Sequence, residues 1–133
     1  MKKGFTLIEL LVILAIVSLL SSIILASLKT SRDRGANAAI KSNINTIRTQ
    51  SEIVYDETGS YATLFAPGSP ALNAYNAAIA ISGEPSPNGL KYSGTEWIVQ
   101  VKLRSGDGGG VWCTDNTGVA RKISTLTEQY FCP

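Results

Sequence analysis

From Phe5 to Leu28 the side chains are apolar or small, and the stretch carries a single charge, Glu9. Leu10 to Leu28 carries none. An α-helix rises about 1.5 Å per residue, so a run of this length crosses the roughly 30 Å hydrocarbon core of a bilayer. A carboxylate in such a run is costly. Insertion scales place a charged residue at mid-helix about 2.5–3.5 kcal/mol uphill, and less near the end where Glu9 stands. An ionisable group there calls for a named partner, and the run is expected to supply none. Cleavage of the chain after Gly4 would create one: the new α-amino group of Phe5, four residues from Glu9 on one helical face, or within reach of Glu9 on a neighbouring chain.

Two plainer explanations fit less well. A secretory signal peptide has a basic start, a 7–15 residue apolar core and a small-residue cleavage site. This run is too long for that, and Ile24-Leu25-Ala26 is a poor cleavage sequence. An ordinary membrane anchor accounts for the run but not for Glu9 or for Gly4-Phe5.

The stretch Lys2-Lys3-Gly4-Phe5-Thr6-Leu7-Ile8-Glu9-Leu10-Leu11-Val12 resembles the processing site of type IV pilins and the related pseudopilins. The resemblance extends from about Met1 to Tyr61, because Tyr55-Asp56-Glu57-Thr58-Gly59-Ser60-Tyr61 is similar to the end of the long helix in many pilins. It implies a prepilin leader over residues 1–4, cut after Gly4 by an inner-membrane prepilin peptidase that also N-methylates Phe5. It implies further that Glu9 docks subunits into a helical homopolymer on an inner-membrane assembly platform. The family often has Pro where this chain has Ala26 and Gly where it has Ser18, a departure that bears on partial melting of the helix during assembly.

Twelve basic residues stand against ten acidic ones, and without Lys2 and Lys3 the two balance. A neutral subunit stacks many times over without self-repulsion. The balance also excludes a dedicated nucleic-acid surface, which clusters Lys and Arg. Lys2 and Lys3 ahead of the run predict the N-terminus in the cytoplasm and the bulk of the chain outside. The expected localisation is a single-pass precursor in the cytoplasmic membrane, then an extracellular filament. On that topology Cys113 and Cys132 are exported, and an even count predicts one disulfide. Closing a loop of about 20 residues stabilises by around 3 kcal/mol on the chain-entropy view.

Beyond the run, Ile40, Ile44, Ile47, Ser51 and Val54 recur at steps of four and three, the stripe of an amphipathic helix. Lys41, Asn45, Arg48 and Glu52 take the solvent side. No proline precedes Pro67. The expectation is one helix from Phe5 to Asp56, about 78 Å long, whose segments are 5–28 in the membrane or filament core and 29–56 against a head. Gly59 stops it. The head, 57–133, begins with a proline-rich connection that contains a short helix over 70–81, where Leu72, Tyr75 and Ile79 share a face.

An antiparallel sheet is expected over 90–123. Trp97, Val99, Val101 and Leu103 alternate with Ile98, Gln100, Lys102 and Arg104, the period of a half-buried strand facing the Ile40 stripe. Asp107-Gly108-Gly109-Gly110 offers too few carboxylates for a calcium loop and reads as a flexible hairpin tip. The fold class is therefore α+β: a long helix packed on a C-terminal antiparallel sheet, as in pilins, with a disulfide-closed end.

No histidine is present, which removes the commonest general base and metal ligand. No nucleophile elbow or phosphate-binding glycine loop appears. Neither catalysis nor a cofactor is expected. The function implied is a structural filament subunit. The alternatives are a pseudopilin of a secretion or competence system, and a monomeric membrane-anchored binding module.

Overall fold

The computed structural model describes residues 4–83 and 89–133, with the side chain of Ala26 set aside. Lys2 and Lys3 of the expected leader lie outside them, as do Glu84, Pro85 and Pro87 of the connection. The architecture is α+β: a long N-terminal helix followed by a four-stranded antiparallel sheet.

Helix α1 runs unbroken over Leu7–Thr58, 52 residues, or about 78 Å. Thr6 caps its start and Gly59 its end. Gly59 sits at φ 68°, where a Cβ is disfavoured, and its N–H donates to the Tyr55 carbonyl at 2.7 Å. The predicted stripe is the buried face: Ile40, Ile44, Ile47 and Ser51 are all within 1% of full burial. It packs into one core with Trp97, Val99, Val101 and Leu103.

Helix α2, Pro70–Ser82, completes that core. Ser69 caps it by accepting the Leu72 N–H at 3.1 Å, and Pro70 opens its first turn. Its buried face is Ala71, Ala74, Tyr75 and Ala78, while Leu72 and Ile79 lie at the flanks, half-buried. The face expected from Leu72, Tyr75 and Ile79 is thus rotated. The small alanines let the helix approach α1 closely.

Strands β1 (Leu90–Tyr92), β2 (Trp97–Lys102), β3 (Val111–Asp115) and β4 (Ala120–Ile123) form a meander in sequence order. Val99 pairs with Thr114 and Leu90, and Trp112 with Lys122. Strand β2 is not half-buried, as its alternation suggested; Trp97 through Val101 are all buried. The C-terminal segment covers the second face. Gln100, fully buried, donates to the Thr127 carbonyl at 2.9 Å and accepts the Thr127 N–H at 2.7 Å. Its amide therefore satisfies the backbone of a segment that belongs to no strand. Ile98 packs with Cys113 and Cys132, which form a disulfide with Cα atoms 5.8 Å apart. Asp115 accepts the Cys132 N–H at 2.7 Å, and Arg121 donates to the Cys132 carbonyl at 2.8 Å.

The glycine-rich hairpin between β2 and β3 is not a free tip. A 3₁₀ turn at Ser105–Asp107 docks on α1. A Cβ built on Gly106 would stand 2.6 Å from the Asp33 Cβ and 2.9 Å from the Arg34 nitrogen and the Thr30 carbonyl oxygen. Only glycine lets the turn come this close to the helix backbone. Asn37, fully buried, then joins the two elements. It accepts the Arg104 N–H at 2.7 Å and donates to the Arg104 carbonyl at 3.0 Å and to the Asp107 carboxylate at 3.1 Å. Asp33 accepts from Ser105 Oγ at 2.9 Å. Asp33 and Asn37 continue the buried stripe toward the N-terminus, but with polar residues.

Gly106→Ala is expected to push the turn off α1. The cost should be about 1–3 kcal/mol, the usual range for overpacking. A thermal melt of the full chain in detergent should show a midpoint lower by several degrees; an unchanged midpoint would contradict the close docking of the turn.

Candidate functional site

The candidate site is the start of α1, where the apolar run carries its lone carboxylate, Glu9. Thr6 has extended backbone, φ −82° and ψ 150°, and stands at the N-cap. Its N–H donates to Glu9 Oε2 at 2.9 Å, and its hydroxyl donates to the same oxygen at 2.7 Å. In return the Glu9 N–H approaches Thr6 Oγ1 at 3.4 Å, completing a reciprocal capping box. The expectation that the run holds no partner for Glu9 is therefore corrected: Thr6, three residues upstream, is a neutral one. The signal was present in the sequence as Thr-x-x-Glu ahead of an apolar run.

The box does not dispose of the carboxylate. Both bonds reach Oε2, and among the described residues Oε1 has no partner. A carboxylate has room for about four acceptor contacts. The positive end of the helix dipole adds a favourable term at this position, of order 0.3–1 kcal/mol. Neither neutral donors nor a dipole supplies a full counter-charge.

Gly4 and Phe5 precede the helix and are exposed, Phe5 by 80%. Gly4 does not adopt positive φ, and a Cβ built on it meets nothing within 4 Å. The fold of this chain thus sets no demand for glycine at position 4. A requirement for it would have to come from something that handles this peptide from outside.

Phe5, Ile8, Glu9, Val12 and Ile13 line a shallow groove along the helix. From Phe5 to Leu28, the large apolar side chains are each at least 45% exposed. Among the described residues one helix, α1, is long and apolar enough to cross a membrane. Within it, Ser18 and Ser21 return their hydroxyls to the carbonyls of Leu14 and Val17, both at 2.8 Å, which satisfies them without water. Cys113 and Cys132 lie far along the chain in the head and form a structural staple rather than part of this site.

Residues 1–25 match the family described as the prokaryotic N-terminal methylation motif. No curated protein and no solved structure matches the chain. The motif, the apolar helix it opens and the antiparallel sheet behind that helix have the layout of type IV pilin-like proteins, a group that includes pilins and pseudopilins.

Proposed function

We propose that this protein is a structural subunit of a type IV pilus or pilus-like filament, cut after Gly4 and methylated on Phe5. The observation that carries the reading is the uncovered apolar half of α1 with one under-partnered carboxylate at its start. Before processing, lipid covers that half and Thr6 shares the charge of Glu9. The precursor sits with its N-terminus in the cytoplasm and its head outside. A prepilin peptidase and N-methyltransferase then exposes the Phe5 amine. The assembly platform draws subunits out of the bilayer, and neighbouring copies replace lipid around the helix. Inside the filament the amine of one subunit pairs with the free side of Glu9 on another. A charge taken out of water is tolerable when its partner is present, and strongly destabilising when one of the pair is missing.

The head forms the outer surface, tied to its helix by Asn37 and Gly106. Pseudopilins share the same N-terminal chemistry. Long, abundant surface filaments support the pilin reading, and a short, scarce complex supports the other.

Two substitutions test the reading. Gly4→Val should leave the folded chain intact, since position 4 is open, yet block cleavage, so the precursor should keep its leader by intact mass; normal trimming would argue against the peptidase. Glu9→Ala should still resist alkaline extraction from membranes. It should nevertheless lower filament yield roughly tenfold or more, because an unpaired buried ion costs about 3–5 kcal/mol per subunit. Filaments at the wild-type level would remove Glu9 from assembly.

A further inference from the structure

We propose that a cleft where α1 leaves its apolar run holds the phosphate of an anionic lipid headgroup, gripped by Lys29, Arg32 and Arg104. The inference rests on the membrane reading of residues 7–28 and goes beyond it by assigning a ligand.

The cleft has a volume of about 320 Å³ and is lined by Leu25, Leu28, Lys29, Arg32, Asp33 and Arg104. That is within the roughly 300–1,000 Å³ of ordinary small-ligand pockets. Its lining is divided. Leu25 and Leu28 belong to the apolar run, and the next residues are charged. From Leu7 to Leu28 the helix rises about 33 Å, close to the roughly 30 Å thickness of a hydrocarbon core. With the run in a bilayer, Leu25 and Leu28 therefore meet acyl chains while Lys29 and Arg32 stand in the headgroup layer.

Lys29 and Arg32 are exposed, and among the described residues neither has a hydrogen-bond or ion-pair partner. Three residues apart on a helix, they share a face. The third cation comes from the head. Arg104 Nε is committed to the Ile81 carbonyl at 2.8 Å, which fixes the guanidinium in place. Its contact with Asp33 is long, 4.0 Å, and the side chain is 42% exposed. Its terminal nitrogens therefore keep capacity for an anion, and a guanidinium fork matches phosphate oxygens. Among the described residues Asp33 is the one acidic residue in the lining, and its Oδ2 already accepts from Ser105. Three cations against one engaged carboxylate leave the cleft positive. The docked hairpin matters here, because Asn37 fixes the backbone of Arg104 on both sides.

Free phosphate would satisfy the cations equally well. The leucine wall favours a phosphate that carries acyl chains. The test uses the full-length protein in phosphatidylcholine nanodiscs containing phosphatidylglycerol, released for native mass spectrometry. The wild type should retain phosphatidylglycerol in preference to phosphatidylcholine. Lys29→Gln with Arg32→Gln, both on exposed positions, should reduce that retention roughly tenfold or more, given the usual strength of attraction per basic residue at an anionic surface. Millimolar inorganic phosphate should not displace the lipid.

Equal retention of the two lipids, or retention that survives the double substitution, would overturn the proposal. So would displacement by inorganic phosphate, which would make this a free-anion site. Dimer masses lost in the double variant without lipid selectivity would assign the cleft to an acidic surface of a second copy. Alkaline extraction of the same protein separates the premise from the inference. A chain that stays in the membrane but shows no lipid preference sinks the cleft alone, whereas one that is released sinks the membrane reading with it.

Discussion

The structure depends on one mismatch: among the described residues, nothing of its own chain covers the first half of α1. Sixteen large apolar side chains between Phe5 and Leu28 are at least 45% exposed. Covering an aliphatic side chain is worth about 1.5–3 kcal/mol. Leaving sixteen such residues uncovered forgoes that gain at each of them, so water is not the medium this half is built for. A helix meets the other requirement of an apolar medium, because its backbone bonds are closed within the segment. Lipid or the same half of other copies remains as cover, and both need only a smooth apolar rod.

The second half of the same helix faces the opposite problem, since it must hold a folded head at a fixed orientation. Apolar contacts at Ile40, Ile44 and Ile47 supply cohesion, but they are not directional. Direction comes from the polar end of the stripe. Asn37 bonds both backbone groups of Arg104, and Gly106 rests against the backbone of α1 at Thr30 to Arg34. A buried amide left unpaired costs about 1–3 kcal/mol, so the hairpin has one seating that satisfies Asn37. That seating is next to the end of the apolar run at Leu28. The head is thus locked to the rod where its apolar run ends.

What the sequence discloses follows from what has a period. Ile40, Ile44, Ile47 and Ser51 repeat at helical spacing and are buried as that spacing implies. Gly59 marks a stop by its chemistry, and the structure ends the helix there. Trp97 to Leu103 alternate as a strand does, but alternation says nothing of a second cover. The segment that buries Ile98 and Gln100 has no regular structure and hence no pattern. Asp33 and Asn37 fall in register with the stripe yet are polar, so a search for apolar periodicity passes over them. The hairpin glycines suggested freedom; Gly106 is there instead for close approach, a difference only a packed neighbour reveals. At the candidate site the carboxylate was legible as a misfit. Its local partner was legible too, in the spacing of Thr6 and Glu9, but a search for a cation overlooks a hydroxyl.

The claim at the centre is that Glu9 meets its counter-charge only after the chain is cut. The most direct measurement is the mass of the N-terminal peptide from protein sheared off the cell surface. The account predicts a peptide that begins at Phe5 and carries one added methyl group. A peptide beginning at Met1 would contradict it, since no amine would then exist beside Glu9 and the apolar half of α1 would be an anchor only.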